Sequence, residues 1–306
     1  MSLEGDFNIK VKMKILITGG TGLLGKALIE TVNSDYEIIA TFLGNYDVED
    51  NQQVKYKKMD IRDKDGYKNL FKGFKPNVII HAASIGSPDY AEKNRNETWV
   101  INVDATQNII ENCEQFDAKF IFISSNGIYD GNNAPYCEES KAEPINYYGQ
   151  TKLEGEIITK KAKITHAIVR PILMYGWNHQ FERQNIITTS LSKLRKGEKL
   201  FAYEDVFSNP LFVKSCAKAI WKIIKEEKYE TFNIAGRDRV SIYQFVKEAA
   251  KIFELNENLV VPVQQGFFNE LVKRPKDTSY NTEKMQKVLQ MEPISVSGGL
   301  FLMKEP

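Results

Sequence analysis

An α/β fold built on a doubly wound parallel sheet is what this sequence predicts, and three observations predict it. Short apolar runs alternate with helical patterns from Met13 to about residue 175. The first run opens into a glycine-rich turn that leads directly into a helix. No internal repeat or low-complexity tract interrupts the alternation. Strands covered by helices on both faces are buried twice over and so read as continuous hydrophobic runs, and the intervening helices force them parallel.

The first strand is Met13 to Thr18, which ends in Gly19-Gly20-Thr21-Gly22-Leu23-Leu24-Gly25 and continues as a helix through about Val32. Further strands are read at Glu37 to Phe42, Val54 to Met59, Val78 to Ala82, Lys119 to Ser124, His166 to Arg170 and Thr231 to Ile234. Helical patterns cover Ala91 to Cys113 and Tyr147 to Ala162. Residues 13–175 are expected to form a dinucleotide-binding core. Beyond Gly176 come a turn at Trp177-Asn178-His179, a helix over Phe181 to Lys196, the turn Ser208-Asn209-Pro210 and a helix over Val213 to Ile224. The segment near 211–236 is expected to return to the sheet. The rest of 176–306 is then a smaller, discontinuous lobe closing over the carboxyl ends of the strands, where such folds bind ligands. Residues 1–12 precede any regular element and begin with a Met-Ser-Leu that resembles an expression remnant, so they are set aside.

Composition narrows the partners. The chain has 306 residues, 42% of them hydrophobic and 26% charged, which is enough for a sizeable core. A formal charge of +1 gives no electrostatic reason to expect nucleic acid or an anionic membrane, and a small-molecule partner is expected instead. Cys113, Cys137 and Cys216 have neither paired nor metal-ligand spacing, and His81, His166 and His179 are scattered. No metal is therefore expected, and reduced thiols fit a cytoplasmic protein. No apolar run approaches the roughly 18 residues of a membrane span. A homodimer is the ordinary expectation for such an enzyme.

The glycine loop has a physical task at each position. Gly19 permits the tight turn, Gly22 lets backbone approach a pyrophosphate, and Gly25 permits close helix packing, while the helix N-terminus offers N–H groups and positive potential. Thr21, Leu23 and Leu24 complete the loop. A P-loop is disfavoured, because Lys26 and Ala27 follow the last glycine where a Lys-Ser or Lys-Thr pair would be needed. At the end of the second strand, Thr41-Phe42-Leu43-Gly44 has no acid to grip ribose hydroxyls or repel a 2′-phosphate. That tilts the expected cofactor slightly toward NADPH over NADH. Asp60 and Ile61 are candidates for the adenine, and Ala82, Ala83 and Ser84 for the path beneath the cofactor.

Tyr148 and Lys152 stand one helical turn apart and so share a helix face. An ammonium there is expected to lower the pKa of the phenol and ready it for proton transfer.

The order of Thr18 to Gly25, Asp60, His81-Ala82-Ala83, Asn102-Val103, Ser124-Ser125, Tyr148 to Lys152, and Arg170-Pro171 before Tyr175-Gly176 resembles the extended short-chain dehydrogenase/reductase superfamily. The resemblance covers nearly all of the chain after residue 12. Within it, Asp89-Tyr90-Ala91-Glu92, Tyr129-Asp130-Gly131, Pro144 through Glu156, and Arg274-Pro275 through Lys284 look most like the dTDP-4-dehydrorhamnose reductase family. The resemblance implies a Rossmann-type sheet and an oxidoreductase acting on a nucleotide sugar. It implies Tyr148 as proton donor, Ser125 as hydrogen-bond partner of the same oxygen, Lys152 as holder of the nicotinamide ribose, and Asn102 beside the cofactor. Asn126, Asn178, Phe181 and Arg274 are the candidate substrate contacts, Arg274 for the diphosphate. Ser125-Asn126-Gly127 stands where those reductases usually carry Thr-Asp-Tyr, which leaves the substrate open. The Ser-Ser start and Ile128-Tyr129 also look like nucleotide-sugar 4-epimerases, which keep NAD bound through turnover. A third class stays open, because the regulatory subunit of methionine adenosyltransferase resembles these same reductases and such a subunit binds dinucleotide without turnover.

Overall fold

The structure is a computed structural model that describes residues 12–45 and 47–305; the leader set aside above lies, Lys12 excepted, outside the described residues. The elements run β1 (Met13–Thr18), α1 (Leu23–Glu30), β2 (Tyr36–Phe42), β3 (Val54–Lys58), α2 (Lys64–Phe74), β4 (Val78–His81), α3 (Pro88–Lys93), α4 (Arg95–Trp99), α5 (Ala105–Phe116), β5 (Lys119–Ile123), α6 (Tyr147–Lys161) and β6 (His166–Pro171). They continue with β7 (Met174–Tyr175), α7 (Ile186–Arg195), β8 (Leu200–Tyr203), β9 (Phe207–Ser208), β10 (Leu211–Phe212), α8 (Val213–Lys225) and β11 (Thr231–Ile234). The last are β12 (Val240–Ser241), α9 (Ile242–Ile252), β13 (Val260–Val263), α10 (Glu283–Leu289) and α11 (Val296–Lys304).

Seven strands form one sheet in the order β11-β6-β5-β4-β1-β2-β3, every neighbouring pair parallel. All seven are the strands read from the sequence, each within a residue or two of the limits expected. Alternate side chains of one strand leave by opposite faces. Ile15, Ile17, Ile80 and Ile121 join α1 and α8 on one side. Leu16, Ile79, Phe120 and Phe122 join α2 and α5 on the other. A third cluster, with Ile187, Leu191, Phe245 and Leu300, packs α7, α9 and α11 together away from the sheet. Three two-stranded pieces, β7 with β10, β8 with β13 and β9 with β12, complete this part.

Two helices differ from expectation. The pattern over Ala91 to Cys113 is broken into α3, α4, a π-helical segment Val100–Asp104 and α5. Asn94 leaves helical geometry at φ −125°, ψ 53°, and its amide donates to the Tyr90 carbonyl at 3.0 Å. The π segment turns Asn102 to bond both the N–H and the carbonyl of Ile85, at 2.8 and 3.1 Å. Those bonds lie outside the helix, so periodicity does not register them. The helix expected from Phe181 begins only at Ile186. Asn185 caps it by accepting from the N–H groups of Ile187 and Thr188, which leaves 177–184 as a loop.

Candidate active site

Strand order reverses between β1 and β4, and at that switch point a cleft of about 710 Å³ opens outside the carboxyl ends of β1, β4 and β5. Gly19, Gly22, Leu23, Leu24 and Gly25 line it. Gly19 has φ +74°, and a Cβ there would lie 2.9 Å from the Ala83 nitrogen. At Gly25 a Cβ would lie 2.3 Å from the Gly19 carbonyl oxygen, so only glycine lets α1 start this close to β1. No side chain caps α1 at Gly22 and no acid stands in its first turn, which leaves its leading N–H groups and its positive end for an anion. The cradle therefore fits a dinucleotide pyrophosphate. Thr21, buried in the same turn, donates to Glu182 of the β7–α7 loop at 2.8 Å.

The hydroxyl pair is built by two neighbouring elements. Ser125 follows β5 and caps a short 3₁₀ turn, Asn126–Ile128, by accepting from Gly127 N–H at 3.0 Å. Tyr148 lies in the first turn of α6, whose cap Asn146 accepts from Gly149 N–H at 3.0 Å. A Cβ on Gly149 would lie 2.1 Å from the Gly127 carbonyl oxygen, so glycine there is what seats α6 against the serine turn. A Cβ on Gly127 would lie 3.2 Å from Tyr148 Cε1 and 3.4 Å from Ser125 Oγ, which puts both side chains around one glycine. Ser125 and Tyr148 both line the cleft beside that glycine, and Ser125 Oγ also lies 3.4 Å from Asn126 Oδ1.

The electrostatics differ from the sequence expectation. Burial pushes the Tyr148 phenol up, against the nearby Ser125 hydroxyl and the positive charge of Arg183. Lys152 stands one turn further along α6. The lysine is buried at 3% exposure with its Nζ 4.6 Å from the centre of the Phe122 ring, and burial lowers it to about 7, opposed by Glu156. Desolvation, which helical spacing cannot express, governs both groups.

Beneath them lies a buried ion pair. Glu156, one turn beyond Lys152, accepts from Arg170 Nε and Nη2 at 2.8 and 2.7 Å and from Ser124 Oγ at 2.6 Å. Arg170 also donates to Tyr129 Oη at 2.8 Å and to the Glu138 carbonyl at 3.0 Å. The network ties β5, β6 and α6 together directly below the Ser125 turn. His81, between Thr18 and Thr106 at 2.8 and 3.0 Å, is lowered to about 3 by burial and is neutral.

Of the residues singled out from the sequence, Ala82, Ser84, Ser125, Asn126, Tyr148 and Arg274 line the cleft with the glycine loop. Ala83 backs Gly19, and Asn102 and Lys152 lie buried behind the wall. Asp60 and Ile61 are outside the lining: Ile61 is buried under α2, and Asp60 is held by Arg62 Nε at 2.9 Å and Nη2 at 2.5 Å. Asn178 and Phe181 are also outside it. The Asn178 amide braces its own loop through the carbonyls of His179 and Glu182, and Phe181 stacks on His179. Asn126 donates to Thr278 Oγ1 at 2.7 Å. Several lining residues were not anticipated: the aromatic rim Phe201, Tyr203 and Phe268, and Glu270. The unbroken apolar run Leu200–Tyr203 was the available signal for the rim.

Comparison with known proteins follows the same lines. The beta subunit of methionine adenosyltransferase 2 from Rattus norvegicus is 26% identical over 293 residues, covering 93% of this chain and 84% of its own length. The dTDP-4-dehydrorhamnose reductase of Aggregatibacter actinomycetemcomitans is 26% identical over 295 residues, covering 92% and 94%. Among solved structures, the dTDP-4-dehydrorhamnose reductase of Bacillus anthracis in complex with NADP superposes with a TM-score of 0.85 at 26% identity, covering 96% of this chain and 99% of that one. The family model for the RmlD substrate binding domain matches residues 13–301, so a glycine cradle and a paired serine and tyrosine on one cleft sit in a chain that belongs to the RmlD substrate binding domain family.

Proposed function

We propose that this protein is an NAD(P)H-dependent reductase of a nucleotide-linked 4-keto-deoxysugar, with NADPH the favoured reductant. The observation that carries the reading is the Ser125–Tyr148 hydroxyl pair on the cleft that the glycine loop also lines. A reduced nicotinamide, when bound, would supply the hydride that the carbonyl carbon accepts. Tyr148, kept protonated by burial, gives its proton to the carbonyl oxygen as negative charge develops there, and Ser125 Oγ hydrogen-bonds the same oxygen. Lys152, close to half-charged near neutrality and packed against Phe122, would hold the nicotinamide ribose. Gly19 to Gly25 and the start of α1 hold the pyrophosphate, and Arg274 is the cation of the cleft for a sugar-nucleotide diphosphate. The absence of a carboxylate in Thr41 to Gly44 supports NADPH.

The test is absorbance at 340 nm with NADPH or NADH and dTDP-4-dehydro-6-deoxy-L-mannose. Tyr148→Phe should lower turnover by about 10² to 10⁴ and leave dinucleotide affinity unchanged. Wild-type turnover in Tyr148→Phe would remove the phenol from the mechanism. A second reading, a dinucleotide-binding regulatory subunit, draws support from the similarity to the methionine adenosyltransferase beta subunit. It predicts dinucleotide binding with no oxidation of NADPH by any keto sugar nucleotide.

A further inference from the structure

Arg274 enters the cleft already engaged. Its Nη2 is 2.6 Å from Asp89 Oδ2, and its Nε is 3.5 Å from Glu270 Oε1. The two carboxylates come from different places. Glu270 precedes Arg274 by four residues in the segment between β13 and α10, whereas Asp89 is the second residue of α3, whose Pro88 lines the cleft together with Ser84 and Gly86 after β4. The Asp89–Arg274 pair therefore bridges the cleft mouth. Among the described lining residues Arg274 is the one cation and Glu270 the one anion, and the rest are neutral. The second oxygen of Asp89 is buried without a hydrogen-bond partner, so Arg274 is the partner that the structure shows for this carboxylate.

Two carboxylates around one guanidinium leave a local surplus of negative charge, which repels a diphosphate as long as both stay in place. We propose that Asp89 and Glu270 are specificity-determining residues: they act as internal competitors for Arg274, so that a ligand gains the guanidinium only if it carries enough phosphate charge to displace them. Resting on the nucleotide-sugar reading above, this makes Asp89 the residue that sets the threshold for the diphosphate and releases the bridge across the mouth when the diphosphate arrives. A bidentate guanidinium suits that exchange, because phosphate and carboxylate present the same paired oxygens to it. Arg274 and Asp89 are partly exposed, at 26% and 39%, so the competition is modest in size and screened by salt.

The experiment is calorimetric titration of the full chain with dTDP and with UDP, in wild type, Asp89→Asn and Glu270→Gln, at low and high salt, with NADPH titrated in parallel. Both variants should bind the diphosphates about two- to fivefold more tightly than wild type, with the gain shrinking at high salt and NADPH affinity unmoved. Thymidine, which has no phosphate, should bind all three alike. Unchanged or weaker diphosphate binding in both variants, with wild type binding normally and NADPH affinity intact, overturns the proposal and leaves the nucleotide-sugar reading standing. Wild type and variants that bind NADPH but neither diphosphate overturn that reading and the proposal with it.

Discussion

Replacing Glu156 by glutamine should destabilise this protein by about 3 to 5 kcal/mol, because it leaves the Arg170 guanidinium buried without a counter-charge. Both partners are almost wholly inaccessible, at 0% for the glutamate side chain and 3% for the arginine. Glutamine can still accept from Ser124 and from one guanidinium nitrogen, so the loss is mainly the charge and the second arm of a bidentate contact. Burial works against the ionised carboxyl, yet the hydrogen bonds and charge of Arg170, with Ser124 and Lys160, hold Glu156 below its ordinary value. A lowered folded pKa means that the pair stabilises the protein above the unfolded value, about 4.3, and that this stabilisation is lost as pH falls through the folded value. Urea denaturation at pH 7 and pH 4 measures both effects, and Glu156→Gln should flatten the acid limb as well as lower the midpoint. The double variant Glu156→Gln/Arg170→Met should be more stable than the single glutamine variant, since it removes the orphaned charge. A single variant within 1 kcal/mol of wild type, or a double variant whose cost is the plain sum of the two singles, would refute the reasoning.

Three further outcomes are expected. Lys152→Met should be stabilised relative to wild type most at pH 6 and least near pH 10: the folded pKa near 7 lies below the unfolded one, so the cost of burying the ammonium is complete below pH 7 and disappears as pH rises, and equal gains at both pH values in thermal melts would contradict this. Gly149→Ala, whose Cβ would meet the Gly127 carbonyl at 2.1 Å and Pro144 Cβ at 2.8 Å, should cost about 1 to 3 kcal/mol and most of the turnover, despite alanine's better helix propensity. Titration with a thiol-reactive disulfide should modify Cys137 quickly and Cys113 and Cys216 only on unfolding, because burial pushes both of those thiols up, Cys216 to about 12.

The inner sheet strands were legible because they lie between two helical layers and so carry apolar side chains on both faces, as in Val78 to His81, where all four residues are buried, whereas the edge strand β3, VKYKK, buries only Val54. The short strands β8 to β10, β12 and β13 were not, because two- and four-residue pairings are set by register with a distant partner. Asn94 and Asn102 broke a continuous helical pattern through bonds to Tyr90 and Ile85, which periodicity does not contain. The glycine loop and the Tyr148–Lys152 spacing are local and could be read. What the sequence could not show is the environment of those groups: Lys152 faces Phe122, and Asp60 is taken by Arg62. Arg274 could be named as a phosphate candidate, but its partner Asp89 is 185 positions away.

The placing of β11 and α8 bears on how the chain is made. Trp221 of α8 stacks on Tyr36 of β2 at 5.1 Å and donates to the Leu28 carbonyl of α1, and β11 completes the sheet beside β6. The apolar face of α1 is thus covered by a helix that leaves the ribosome nearly two hundred residues later. At roughly 5 to 20 residues per second, the nascent chain holds that face bare for about 10 to 40 seconds. The first half of the protein therefore spends much of its synthesis with a nucleotide cradle in place but one side of its core unroofed, and a chain stopped at residue 175 would keep that exposure permanently.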